Sequence, residues 1–381
     1  MATTKRQPKG TGSVYQQRGS WVGQIRIDGR VHRVRASTKT EARTKLNAIA
    51  AKVVTGTASS DKSMTVAALL DRFLTRSMHH RRGGTLAPTT KQGHEWAASR
   101  IVAILGKKRV AELSRTQVES MTDKLAEEGL SKSSLRRILL TLQLALDSAV
   151  DDGTCLRNVA RSAELPGNAK QGRKRAALSP ADAVRLAGQL PDQPLGAMFL
   201  LMLRCGLRPG EAAAVHWDDL EGDVLHVRHG IQRDGTTVNV VRRLKTKTSE
   251  RPIRLPAEVL KAIAKHRKDQ NKLRLAAPFW THPELMFTSS NGGTIDPANM
   301  RRAWRGICAD LGATVENGSR QPTPNELRHS CASMLAYMGI PYEHIATLLG
   351  HTSTRMIEQT YGHRLTDAVE TAATEWVVRR R

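Results

Sequence analysis

Five short motifs in the second half of the chain hold the side chains best suited to chemistry. They are Cys205-Gly-Leu-Arg208-Pro-Gly-Glu211, Leu244-Lys245-Thr-Lys247, Pro324-Asn325-Glu-Leu-Arg328-His329, Leu349-Gly-His351 and Thr360-Tyr361-Gly-His363. Each is a weak signal alone. Guanidinium groups such as those of Arg208 and Arg328 present planar forks that pair with oxyanions. A phenol has a pKa near 10, so only about one in a thousand is ionised at pH 7, and it attacks only with a proton acceptor and a positive field beside it. Other chemistries find no footing. The chain has no GxxxxGK[ST] phosphate loop, no HExxH and no cluster of Asp and Glu that would hold two Mg²⁺ ions. Its four cysteines, Cys155, Cys205, Cys308 and Cys331, are far apart and read as buried thiols rather than metal ligands.

In this order the motifs resemble those of the tyrosine recombinase, or phage integrase, family: an Arg in a GLRxGE turn, a hairpin Lys, an xxLRH helix, an LGH corner and a TYxH nucleophile. The resemblance covers residues 177–381. Less specifically, the N-terminal segment and the middle of the chain look like the arm-binding and core-binding domains of the larger integrases. The resemblance implies a site-specific recombinase that cleaves and rejoins duplex DNA through a 3′-phosphotyrosyl link, integrating and excising a phage genome or mobile element. Its implied catalytic residues are Arg208, Lys245, Arg328, His351 and Tyr361, with no metal and no cofactor. Its implied partners are duplex attachment sites and a homotetramer that exchanges strands through a Holliday junction. A host DNA-bending factor and an excisionase are the accessory proteins such a system uses.

The physics of the pieces agrees. A phosphodiester under attack concentrates charge on its nonbridging oxygens, which two fixed guanidinium forks stabilise. Arg208 stands where a helix gives way to Pro209-Gly210, and Arg328 lies one turn into a helix beginning at Pro324, where free amides also favour an anion. His351 follows Gly350, a helix stop, ten residues before Tyr361. The leaving 5′ oxygen needs a general acid, which a hairpin lysine supplies if the arginines lower its pKa. Lys245 aligns best with the family's KTKxSxR strand pair, and Lys247 is its competitor. Glu211 reads as a buried brace for Arg208 or a neighbouring histidine. The chain departs from the family's usual His-x-x-Arg at Asn325, which can donate a hydrogen bond to a phosphate oxygen but cannot carry a proton at neutral pH. His329 is set aside, because adjacent residues on a helix point about 100° apart.

The elements that must position these groups follow from patterning. Before residue 60, Val14-Tyr15, the alternation Trp21, Gly23, Ile25, Ile27, an Asp28-Gly29 turn and Val31 to Val34 predict three short strands. Thr38-Lys-Thr-Glu41 then predicts a capped helix. To residue 62 there are thirteen basic residues against three acidic ones, so this small sheet is expected to enter a DNA groove, with Arg26, Arg33 and Arg35 as contacts. Helices are expected at 64–77, 89–104 and 115–128, and Leu135, Ile138, Leu139, Leu142, Leu146 and Ala149 form the stripe of another. After the polar, basic stretch 167–175, Ser179-Pro180 opens a mixed domain. That domain is expected to hold a helix at 195–207 and strands near 223–228, 237–244 and 251–255. Further helices follow Pro256, Asp296-Pro297, Thr323-Pro324 and Ile340-Pro341. The expected fold is α+β and multidomain: an arm-type DNA-binding domain at 1–60, a helical core-binding domain at 64–166 and a mainly α catalytic domain with a small antiparallel sheet at 177–381.

Composition bounds the reading. With 60 Lys and Arg against 35 Asp and Glu, the 381-residue chain carries a formal charge of +25, which favours a polyphosphate partner. Aromatics at 4% argue against a single-strand stacking platform, so duplex is expected. Neither a membrane span nor a signal peptide is read, and the expected location is cytoplasmic and nucleoid-associated. Two alternatives stand beside the recombinase. One is a nicking topoisomerase, which the basic N-terminal sheet disfavours. The other is a noncatalytic DNA-binding regulator, which Asn325 keeps open.

Overall fold

The computed structural model describes residues 12–17, 19–27, 30–54, 63–77, 87–155, 157–172, 175–242, 250–351 and 353–354. The chain divides into two compact units, Met1–Arg173 and Lys174–Arg381.

The first unit opens with three antiparallel strands, β1 (Ser13–Gln17), β2 (Ser20–Ile27) and β3 (Arg30–Ala36), in the order β1-β2-β3. Helix α1 (Lys39–Val54) packs on one face of this sheet through Ala42 and Leu46. Gly23 permits that approach: a Cβ there would lie 2.9 Å from Val34 Cγ2 and 3.3 Å from Leu46 Cδ1. Thr38 caps the helix by accepting from Glu41 N at 3.2 Å, but Glu41 reaches back to Ser37 rather than Thr38.

The helical part of this unit contains α2 (Val66–Arg72), α3 (Pro88–Leu105), α4 (Arg115–Glu127) and α5 (Lys132–Asp151). Each expected segment is a helix, although Phe73–Ser77 continues α2 as a π-helical turn. Ser114 and Gln117 form a capping box on α4, and Ser131 accepts from Ser134 N on α5. The α5 stripe buries Leu135, Ile138, Leu142 and Leu146 against Ile101, Val118 and Met121. Truncating such a leucine to alanine costs about 2–5 kcal/mol.

The second unit holds α6 (Pro180–Gln189), α7 (Gly196–Cys205), the short α8 (Pro209–Ala212), α9 (Ala257–Ala276), α10 (Pro297–Asp310), α11 (Pro324–Tyr337) and α12 (Tyr342–Leu349). Its strands are β4 (Leu220–Glu221), β5 (Val224–Val227), β6 (Gly230–Asp234), β7 (Thr237–Val241) and β8 (Arg251–Arg254). Strands β4, β5 and β8 form one antiparallel sheet, and β6 and β7 form a hairpin. Strand β6 was not expected: Gly-Ile-Gln-Arg-Asp offers one apolar residue and no alternation. Helix α7 is apolar and buried from Gly196 to Leu203 and at Cys205, with only Arg204 in its last turn partly exposed, as befits a central core helix. Phe199 meets Trp304 there with ring centroids 4.8 Å apart.

Candidate active site

Two helix ends aim their carbonyls at the arginines. Helix α7 ends at Gly206 and α12 at Gly350, both in the left-handed region at φ 67° and 65°. Only glycine fits at Gly206, where a Cβ would lie 2.3 Å from Leu349 Cδ2. Arg328 on α11 donates from Nη1 to Gly206 O at 2.8 Å and from Nη2 to Leu349 O at 2.6 Å. Arg208, the N-cap of α8, donates from Nη2 to Gly350 O at 3.3 Å. The negative ends of two helices therefore hold the two guanidiniums.

Glu211 joins them. Its Oε1 is 2.6 Å from Arg208 Nη1, and its Oε2 accepts from Arg208 N at 2.9 Å. The same Oε2 is 3.0 Å from Arg251 Nη2 and 3.9 Å from Arg328 Nη1. Arg251, on β8, also donates from Nε to Leu348 O at 2.6 Å and is 7% exposed. Three guanidiniums thus surround one carboxylate, leaving an excess of two positive charges in a largely buried site. Burial, which would raise the Glu211 pKa, is outweighed by Arg251 and Arg208, so the group stays ionised. Burial and the Arg208 charge pull the Arg328 pKa down to about 9, which leaves it cationic at neutral pH.

His351 lies at the same corner, its backbone N–H bonded to Ala346 O at 2.9 Å. Burial, then Arg328 and Arg208, drive its pKa down to about 4, so it is a neutral imidazole at pH 7. Its Nδ1 is buried with no hydrogen-bond partner among the described residues. An anion seated between the arginines would offset their field and make this imidazole a better proton acceptor.

A match to the phage integrase family spans residues 181–367. The chain is 28% identical to an integrase of Streptomyces ambofaciens over 389 residues, covering 97% of this chain and 96% of that protein. Among solved structures it resembles the Tn1549 transposon integrase, residues 82–397, in complex with circular intermediate DNA. That likeness has a TM-score of 0.68 at 20% identity, over 82% of this chain and 100% of that one. A lambda integrase tetramer bound to a Holliday junction gives 0.57 at 18% identity, over 93% and 96%. The chain belongs to the phage integrase family of tyrosine recombinases.

Within this family member, the sequence-expected residues divide into four groups. Arg208, Glu211, Arg328 and His351 converge as described. Asn325 stands one turn before Arg328 on α11, exposed and without a side-chain hydrogen bond among the described residues. Lys245, Lys247 and Tyr361 lie outside the described residues. On the N-terminal sheet, Arg33 and Arg35 are exposed, and Arg33 donates from Nε to Gln24 Oε1 at 3.2 Å. Tyr15 Oη donates to that same amide oxygen at 3.3 Å. Arg26 holds the β2 register position opposite Val31.

Two further residues emerge only from the structure. Arg251 sits in the KTKxSxR run but was not singled out, because an arginine in an Arg-Pro-Ile-Arg strand reads as solvated. The inward-outward burial of β8 instead places Arg251 inside and Arg254 out. His329, set aside on helical offset, is half-buried with Nε2 3.3 Å from Arg175 Nη1. Burial, then the Arg175 charge, drives its pKa down to about 4, so it is neutral at pH 7.

Proposed function

We propose that the chain is a site-specific DNA recombinase in which Tyr361 attacks a scissile phosphodiester. The phenolic oxygen forms the new bond to phosphorus, the bond to the 5′ oxygen breaks, and a 3′-phosphotyrosyl link conserves the phosphodiester for religation. Arg208 and Arg328 bind the two nonbridging oxygens, and their charge stabilises the pentacoordinate transition state. Neutral His351 accepts the phenolic proton directly or hydrogen-bonds the phosphoryl group. Lys245 delivers a proton to the departing 5′ oxygen. Glu211 and Arg251 act as positioning residues that fix the Arg208 fork. Asn325 leaves proton transfer to His351 and the lysine.

The observation that carries this reading is the excess of two positive charges at the meeting point of Arg208, Arg251, Arg328 and Glu211. Arg251 and Arg328 are buried and Arg208 is partly exposed, and a cationic excess of that size calls for an anionic ligand. The related solved structures hold DNA, one of them as a tetramer on a Holliday junction, which supports a duplex substrate and action as a homotetramer. We assign arm-type DNA recognition to residues 1–60 through Arg33, Arg35 and Arg26, core-site binding to 64–166 and catalysis to 177–381. Excision and integration would then differ by accessory proteins, a host bending factor and an excisionase. Plasmids carrying paired attachment sites test the reading. Recombinant circles are expected, and relaxation of any supercoiled plasmid without recombinants would assign a topoisomerase instead.

A further inference from the structure

A second cluster of chemically capable side chains lies outside the arginine site. His216, in the turn after α8, His229, immediately before β6, and Asp219 bring one donor atom each within 4.8 Å of one another. The two imidazoles stack with centroids 4.0 Å apart and planes at 14°. Asp219 is 3% exposed, and its Oδ2 accepts from His216 N at 3.0 Å and lies 3.0 Å from His229 Nδ1. The frame is fixed by backbone: Trp217 N donates to Glu284 O at 2.9 Å and Met286 N to Val215 O at 2.8 Å.

The telling atom is His216 Nε2, which is buried and has no hydrogen-bond partner among the described residues. Leaving such a group buried is unfavourable unless something occupies its lone pair or proton. His216 borders a cavity of about 420 Å³ that His229, His282, Glu284, Asn239 and Arg242 also line. The imidazoles of His216 and His229 beside the buried Asp219 carboxylate present the donor set that zinc-class ions take.

We propose that His216, through Nε2, together with His229 and Asp219 binds one divalent transition-metal ion of the zinc class. The stacked rings must splay to converge on one ion, and their broad two-fold χ2 torsions allow this without backbone movement. The fourth position faces the cavity, where Glu284 and His282 are at hand for a bound water. Because His229 stands at the root of β6 and His216 in the body of the unit, the ion joins the β6–β7 hairpin to that body. This site is independent of the phosphoryl-transfer chemistry proposed above.

Full-length protein stripped with chelator and titrated with Zn²⁺ by calorimetry tests it, with Co²⁺ as a spectroscopic probe. One ion per chain is expected, with the visible bands of four-coordinate Co²⁺. His216→Gln and His229→Asn should each weaken binding by more than the about 10–100-fold that losing a ligand's hydrogen-bond partner costs. His344→Asn, an exposed histidine on α12, should leave it unchanged. X-ray absorption of the zinc-loaded wild-type protein reads the same claim without relying on a variant that folds. Two imidazole nitrogens and a carboxylate oxygen at about 2.0–2.2 Å are expected. Binding that survives both substitutions, a shell lacking two imidazoles, or no saturable binding at all would overturn the proposal.

Discussion

Replacing Glu211 by Gln keeps the shape of the side chain and removes the one negative charge among three guanidiniums. Glu211 is 4% exposed and takes four hydrogen bonds, two from Arg208 and two from Arg251. The amide retains one acceptor and points an N–H₂ group at a guanidinium. Arg251, equally buried, keeps its charge without an ionic partner in Glu211. Breaking a buried pair in this way costs about 3–5 kcal/mol, a large share of the about 5–15 kcal/mol that holds a domain together. Urea denaturation followed by tryptophan fluorescence, in a background with Trp21 and Trp96 of the first unit replaced by Phe, reads the second unit, where Trp304 is fully buried. The midpoint should fall by an amount equivalent to that loss. Sulfate should restore part of it in the variant, because an anion bound only by the folded state stabilises by about 2.7 kcal/mol at a hundred times its Kd. Replacing Arg251 by Met in the same background should also recover stability, since a buried charge that Glu211 no longer offsets is gone. A loss below about 1 kcal/mol, the value of a solvent-exposed pair, would refute the claim that Glu211 offsets a buried cationic cluster.

Other outcomes follow from the same geometry. Burial would raise the Glu326 pKa, yet hydrogen bonds from Arg320, Thr323 and Ala176 hold it at about 2. A depressed carboxyl stabilises the fold above its unfolded pKa of 4.5 and loses that contribution as pH falls from there toward 2. Glu326→Gln should therefore flatten the acid limb of the stability curve by about 2 kcal/mol between pH 7 and pH 3, measured by denaturation at those two pH values. Arg33→Ala and Arg35→Ala should each lower the salt-dependence slope of arm-site binding by about 1. Neither should change covalent cleavage of a core site.

The parts of this molecule that were legible in the sequence are those marked by backbone punctuation or strong periodicity. Pro209, Pro324 and Gly350 fix helix ends, so Arg208, Arg328 and His351 could be placed beside those ends. The α5 stripe repeats at helical spacing and buries as expected. Capping residues Ser179 and Asp296 stood before prolines and cap as read. What escaped depends on tertiary contact. Arg251 looks like any strand arginine until β8 pairs with β5 and turns it inward. Strand β6 has little pattern of its own and forms by pairing with β7. The His216, Asp219 and His229 group has no metal-like spacing, because the turn after α8 and the root of β6 bring it together.

The account rests on Tyr361 reacting within reach of the arginine pair. A duplex nicked close to its cleavage position, so that the released fragment diffuses away, traps the covalent intermediate on the full-length protein. Peptide mapping should find the DNA on Tyr361, and Tyr361→Phe should bind the duplex with unchanged affinity while forming no adduct. An adduct on any other residue, or one that persists in Tyr361→Phe, would contradict the account.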